Sequence, residues 1–469
     1  MKLKQFGPFL LATIAALSLQ CNKADGLLAG VKTTGMAATS VAHPVDAFGG
    51  VYNPSNITTL CDRLDLGISW VNTNQGAYIR DLPDYSGNAT LLTLTGGLNP
   101  SDLNGYRDGA KTADTYVPEF GIVKKWKCGY SPYDMPMELS TGFIVYNRND
   151  LKTTYGKAFE LFGTSPTGLE YIHETAGLLL AARFCEMHSF GIAINYNVQR
   201  LKIDGLEGFA NTAFSTKPTK TTNRGYNYSG GAGVILGYLF EWKCINIGAS
   251  WQPKTSMRRF DKYSGFVVDN GAFDLPERFQ TGIAYSPICG LTVAFDYEYI
   301  KWCDIPQLLN HTFPNLQNNL LGSKGGAGFA FDNQSFYRVG FEYELNPCWT
   351  VRAGFRHANS PVTSEWTAVN ILTLDAMENV VTFGFTWRFN RCHELSMFYG
   401  LGMSKTVRGK NSIPTQVPQY NPNTDSKVFP PINADPTVFA NSGTLVQADG
   451  NVDIKQRRCA LGISWGWYY

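Results

Sequence analysis

Arg338, Arg352 and Arg356 occupy even positions in two stretches whose odd positions are apolar, Val339, Phe341 and Tyr343 in the first and Trp349, Val351, Ala353 and Phe355 in the second. A guanidinium held on one face of such a stretch binds a carboxylate through two parallel N–H bonds. Glu342 and Glu344 share that parity, as do Asp296 and Glu298 in a third stretch and Arg388 in a fourth. Two uses of these charges stand open. They form an internal ion-pair network, or the network leaves one of Arg338, Arg352 and Arg356 to receive an anionic head group.

Cysteine is the second residue type placed with regularity. The chain has 10, and seven fall beside turn signals: Cys61, Cys128, Cys185, Cys244, Cys289, Cys348 and Cys392. Thiols on exposed turns in an oxidising compartment are expected to become disulfides. Neighbouring turns of a wide barrel lie beyond the Cα separation a bridge tolerates, and seven is odd. The spacing therefore predicts disulfides to partner envelope proteins, alongside one or two internal bridges. Cys303 and Cys459 belong to the opposite end.

Other chemistry is not supported. His43, His173, His188, His311, His357 and His393 lack metal-ligand spacing, and no Ser/His/Asp set falls on neighbouring strands. Ser229-Gly230-Gly231-Ala232-Gly233 has no following Lys-Ser/Thr and is a poor phosphate loop. The sequence thus predicts no enzyme, no cofactor and no metal, and its net charge of +2 predicts no nucleic-acid partner.

The elements that must position these residues are strands. In the last eleven residues, Leu461, Ile463, Trp465, Trp467 and Tyr469 alternate with Ala460, Gly462, Ser464, Gly466 and Tyr468. One large apolar face, one mostly small face and aromatics massed at the end describe a lipid-facing strand meeting a membrane interface. Mean hydropathy of −0.16 does not oppose this, because a barrel hides its membrane signal in alternation. Composition agrees: 13% aromatic, 47 Gly and only 17% charged suit many short strands with bulky outer and small inner faces.

Followed by parity, strands fall near 64–70, 117–127, 137–147, 171–183, 188–201, 227–242, 244–253, 276–287, 290–302, 335–346, 348–357, 379–389, 393–404 and 452–469, about 14 in all. The predicted fold class is all-β, a transmembrane antiparallel barrel. Tight turns at 242–244, 286–290, 346–348 and 390–392 alternate with long loops at 72–116, 202–226, 303–334 and 405–451. Short turns belong on the periplasmic side of a bacterial outer membrane and long loops outside it. Arg457, outward by parity, would then sit at the outer interface.

The amino terminus divides in two. Residues 1–20 carry Lys2, Lys4 and an uncharged run from Phe9 to Leu17, the pattern of a secretory signal and too short for a membrane helix. Ordinary cleavage before about Ala24 and lipidation of Cys21 are both open. Residues 21–62 are dense in small residues, which suits a compact plug inside the barrel of 63–469.

Gly35-Met36-Ala37-Ala38, Asp46-Ala47 and Tyr52-Asn53-Pro54-Ser55 resemble the amino-terminal hatch of the FadL-type outer-membrane transporters of long-chain fatty acids and aromatic hydrocarbons, with Ser55 where that family has Ala. Phe273-Asp274-Leu275-Pro276-Glu277-Arg278-Phe279, Phe295-Asp296-Tyr297-Glu298-Tyr299 and Val351-Arg352-Ala353-Gly354-Phe355-Arg356 resemble strand phrases of the same family, so the likeness spans nearly the whole mature chain except loops. It implies passive import of a hydrophobic small molecule, long-chain fatty acids foremost. Capture would occur at the outer loops, and release would follow a shift of the hatch around Asp46, Asn53 and Pro54. The partners so implied are the substrate and outer-membrane lipid. The competing readings are a disulfide-cross-linked structural barrel and a general porin for polar solutes; a porin would lack the plug.

Overall fold

The computed structural model describes residues 29–80, 107–130, 136–158, 162–212, 214–312, 315–410 and 451–469, together with 90–91, 412, 415–416, 419–421 and 426–428. The signal-like segment 1–20 and Cys21 lie outside the described residues.

Fourteen antiparallel strands close into a barrel. In chain order they are β1 Arg63–Arg80, β2 Arg107–Tyr130, β3 Pro136–Ala158, β4 Pro166–Phe184, β5 His188–Asp204, β6 Asn227–Trp242 and β7 Ile245–Gln252. The second half is β8 Arg278–Ile288, β9 Leu291–Ile300, β10 Gln334–Asn346, β11 Trp349–Ala358, β12 Asn379–Arg388, β13 His393–Val407 and β14 Asn451–Tyr468. Each pairs with its neighbour, and β1 closes the cylinder on β14 from Arg63↔Tyr468 to Arg80↔Asn451. Closure leaves no unpaired edge, the condition for a sheet in hydrocarbon.

Period-two patterning makes these segments strands and sets their facing. Along β11, Trp349, Val351 and Phe355 are exposed on the outer wall while Arg352, Gly354 and Arg356 are buried inside. Outer aromatics cluster near the end that carries the short turns: Trp349 stacks on Trp387 at 5.9 Å and His393 on Trp465 at 5.5 Å. That is the interfacial girdle of a membrane barrel. No helix among the described residues is long and apolar enough to cross a membrane.

One expectation needs correction. The stretch 72–116 is not all loop, since β1 runs on to Arg80 and β2 begins at Arg107. Alternation persists there, with Val71, Thr73, Gln75, Ala77 and Ile79 buried inside. The outward residues Asn72, Asn74 and Tyr78 are polar because this part of the wall has left the lipid. A reading keyed to apolar outer faces stops at the membrane boundary.

Loops from β5–β6, β7–β8, β9–β10 and β11–β12 pack over the outer mouth around Phe209, Phe260, Tyr263, Phe266, Phe329 and Ile371. Residues 29–60 occupy the other half of the lumen and join β1 at the periplasmic rim.

Candidate functional site

The amino-terminal segment is held through its own backbone. Two short helices, Val31–Thr34 and Gly49–Tyr52, are tied by Asp46, whose carboxylate accepts from Thr33 N at 3.2 Å, Thr33 Oγ1 at 2.9 Å and Phe48 N at 3.1 Å. Asn53 accepts from Ser55 N and Ser55 Oγ, capping the turn Pro54–Thr58. Pro54 opens that turn, where its missing N–H leaves nothing unsatisfied. Asn53 Nδ2 also donates to Val41 O and, on the β6 wall, to Tyr238 O, both at 2.9 Å.

Wall carboxylates capture the remaining amides. Glu119 on β2 accepts from Gly30 N and Val31 N at 2.9 Å, Asp65 on β1 from Ala47 N at 2.8 Å, and Asp296 on β9 from Ser40 N at 2.6 Å and Val41 N at 2.9 Å. Each charge-assisted bond contributes about 1.5–3 kcal/mol. At the rim, the buried Glu394 accepts from Lys32 Nζ at 2.8 Å and Arg63 Nη2 at 2.9 Å. Contact is close enough to require wall glycines. A Cβ on Gly354 would lie 2.3 Å from the Met36 carbonyl carbon, and one on Gly191 would lie 2.3 Å from Ser55 N.

The three arginines singled out from the sequence all face inward but do not converge. Arg338 is fully buried, paired with Glu298, and its guanidinium lies 5.2 Å from the Phe336 ring centre. Arg352 is committed to Glu342 and Thr386, both at 2.6 Å, and Glu342 also contacts His43 at 3.1 Å. Arg356 sits 5.5 Å from the same Phe336 ring and, with Arg458, Thr34 and Thr382, lines a small void of about 350 Å³ against the amino-terminal segment.

A mainly apolar cavity lies above, between the outer halves of the strands and the packed loops. Its empty volume, including the open mouth, is about 940 Å³. Leu151, Leu169, Tyr171, Leu201 and Ile203 line it from the wall, and Phe266, Phe273, Trp302, Leu308, Phe329 and Phe331 from the loops and their margins. At its barrel end the lining turns polar, with Arg148, His173, Gln252 and Arg278. Arg148 donates through Nη2 to Gln252 Oε1, and its buried Nη1 has no hydrogen-bond partner among the described residues. His173 Nε2 contacts Asn197 Oδ1 at 3.0 Å. Arg278 pairs with Glu298 at 2.7 Å, and the same carboxylate takes Arg338 and Gln280 Nε2. Arg148, Arg278 and Arg338 are near enough to one another for Arg278 to feel both as repulsion. Glu298 and Asp296 stand against them, and Asp274 and Asp375 also line the cavity, so the guanidinium nitrogen left to a ligand here is Arg148 Nη1. An apolar chamber with a buried cationic end suits an amphipathic anion, because burying a charge without a partner is costly.

Arg148 and Arg278 were not singled out from the sequence. Arg278 had a signal, since it shares parity with the inward Gln280 and Ala284. Arg148 shares parity with the inward Ser140, Ile144 and Tyr146, but it lies one residue beyond the strand expected at 137–147, where the β3–β4 register shifts between Asn147 and Asn149. Of the cysteines, Cys61, Cys244, Cys289, Cys348 and Cys392 are exposed and Cys185 is half-buried. The eight whose side chains are described form no disulfide, so the one or two internal bridges expected are not present among the described residues; the Cys128 side chain lies outside them.

The family model described as outer membrane protein transport protein (OMPP1/FadL/TodX) matches residues 30–429. Among solved structures, the toluene transporter TodX of Pseudomonas putida is similar at 13% identity with a TM-score of 0.58, covering 94% of this chain and 98% of that one. A Pseudomonas aeruginosa FadL homologue is similar at 12% identity and 0.58, covering 96% and 100%. The Ralstonia pickettii toluene transporter TbuX follows at 12% and 0.52, covering 94% and 98%. Identities this low carry the fold alone. Among curated proteins none matches.

Proposed function

Because this chain belongs to the OMPP1/FadL/TodX family of outer membrane transport proteins, we propose that the hydrophobic compounds it carries inward are acidic amphiphiles, long-chain fatty acids foremost. The observation behind this choice is the cavity with Arg148 and Arg278 at its barrel end. An alkyl chain leaving water for such a chamber gains about 0.8 kcal/mol per methylene. The carboxylate then completes the floor, taking the unpartnered Nη1 of Arg148 and competing with Glu298 for Arg278.

That competition reaches the plug. Glu298 also holds Arg338, Arg338 attracts Asp296, and Asp296 binds the amides of Ser40 and Val41. Val41 O in turn takes Asn53 Nδ2. In this reading residues 29–60 are the plug, Asp46, Asn53 and Pro54 hold its folded form, and head-group arrival weakens its seat. Arg338 is the relay, and Arg352 fixes the wall near His43.

Neutral aromatics are the competing cargo, as the toluene transporters among the similar structures suggest. They would leave the Arg148 guanidinium without use. A porin for polar solutes and a purely structural barrel fit less well, since the lumen is filled and the chamber above it is apolar. Uptake of labelled oleate and of toluene by a strain lacking this protein, with and without the restored gene, separates the readings. Restoration of oleate uptake supports the proposal, and restoration of toluene uptake alone transfers the assignment to aromatic hydrocarbons.

A further inference from the structure

Import uses none of the cysteines, and their placement is too regular to be incidental. The four tight turns that close β6–β7, β8–β9, β10–β11 and β12–β13 contain ten residues, of which four are Cys244, Cys289, Cys348 and Cys392; the whole chain has 10 cysteines in 469. Cys61 occupies the matching position where the amino-terminal segment meets β1. All five thiols are exposed.

Turn geometry does not ask for cysteine. In Asn346-Pro347-Cys348 and Asn390-Arg391-Cys392 the Asn side chain makes the turn: Asn346 Oδ1 accepts from Cys348 N at 2.9 Å and Trp349 N at 3.1 Å, and Asn390 Oδ1 accepts from Cys392 N and His393 N at 2.8 Å. The sulfur takes no part in that frame. Burial does not ask for it either, since a cysteine kept as a small hydrophobe sits inside, not on a rim.

We propose that these five thiols form a covalent docking ring, joining the periplasmic rim of the barrel by disulfides to a cysteine-bearing protein of the layer beneath the outer membrane. None of the five is bridged to another. Successive turns are separated by two strand spacings, roughly 10 Å, against a Cα limit of about 7 Å. The partner is placed below because the five positions run round the rim from β6 through β13 to β1. A second barrel lying alongside in the same membrane meets only a short arc of that rim, whereas a protein approaching end-on meets all of it. Each link forms one S–S bond from a rim thiol and a partner thiol. The two protons and two electrons pass to a disulfide oxidant of the compartment, which becomes a dithiol. Exposed thiols facing an oxidising space meet such oxidants as a matter of course.

The experiment uses native envelopes in which free thiols are trapped with N-ethylmaleimide at harvest, followed by non-reducing electrophoresis and immunoblotting. Wild-type chain is expected in high-mass species that collapse to monomer on reduction. Replacing Cys61, Cys244, Cys289, Cys348 and Cys392 by Ser is expected to cut the high-mass fraction at least tenfold while leaving uptake unchanged. Excised bands should yield mixed-disulfide peptides pairing these cysteines with another protein. A monomer in both lanes, high-mass species that survive the five-Ser change, rim thiols capped by a small thiol, or bands containing this chain alone would each overturn the proposal. If the five-Ser chain fails to assemble, maleimide stoichiometry on the wild type decides: modification of all five rim thiols without prior reduction refutes it.

Discussion

Replacing Arg148 by Met removes a cavity cation while keeping most of the apolar stem. Arg148 is buried, its Nη2 is used by Gln252, and its Nη1 has no partner among the described residues, so the change breaks one internal hydrogen bond and strands no carboxylate. If the ligand carboxylate takes that nitrogen, binding loses a charge-assisted bond of about 1.5–3 kcal/mol, which corresponds to roughly 10- to 150-fold in Kd. The methyl ester of the same fatty acid keeps the tail and lacks the charge, and its affinity should change by less than about threefold, the effect of at most half a hydrogen bond. Losing the Gln252 hydrogen bond costs about 1–3 kcal/mol, offset in part by relief of the repulsion on Arg278, so thermal stability should fall by no more than that. Displacement of a fluorescent fatty acid from the detergent-solubilised barrel reads both ligands. Equal losses for acid and ester would show that Arg148 serves packing alone, and no loss for either would remove the head-group site from this end of the cavity.

Exchanging Asp296 for Asn keeps the shape and halves the strength of the bonds to Ser40 N and Val41 N, a loss of about 1.5–3 kcal/mol over the two. Planar-bilayer recordings should then show brief openings absent from the wild type, and deletion of residues 29–53 a large steady conductance; an unchanged trace for the deletion would refute the plug. On the outer wall, Phe355→Arg places a cation in lipid next to the tolerated inward Arg356 and should cost roughly 2–4 kcal/mol near the midplane. Heat-shift electrophoresis should show less folded barrel, and a wild-type yield would mean that the face assignment of β11 is inverted.

What could be read from the sequence divides by the range of the interaction. Facing is a local property, so Trp349 to Arg356 disclosed inside and outside without any partner strand, and the same parity placed Asp296 and Glu298 within. The closed barrel followed from the number of such segments and the alternation of their connections. Which inward charges meet was out of reach, because it depends on register and height. Glu298 ends between Arg278 and Arg338 only because β9 pairs with β8 on one side and β10 on the other. The plug's attachment left little trace for a similar reason: Glu119, Asp65 and Asp296 bind its backbone amides, which every residue except proline possesses. Only the glycines that admit its close approach, such as Gly191 and Gly354, mark the seat on the wall.

Height becomes legible when both faces of one strand are followed together. Along the inner face of β5 run Ser189, Gly191, Ala193, Asn195, Asn197, Gln199, Leu201 and Ile203. Ser189 Oγ meets Thr58 at 2.9 Å and Gly191 abuts Ser55, whereas Leu201 and Ile203 line the cavity. The outer face runs Phe190, Ile192, Ile194, Tyr196 and Val198, then turns to Arg200, Lys202 and Asp204. The outside becomes charged at the step where the inside becomes apolar. Charges on the outer wall mark the end of the hydrocarbon, so the cavity stands at or above the outer surface of the membrane and the plug lies within its thickness. Between them the inner wall offers Asn195, Asn197 and Gln199. An amphiphile captured in the chamber must therefore carry its head group first through a polar layer, with the tail following from one apolar surrounding toward another. A neutral hydrocarbon would cross that layer with nothing to exchange for the hydrogen bonds it displaces, which is the physical reason for proposing a carboxylate as cargo and for testing it against toluene.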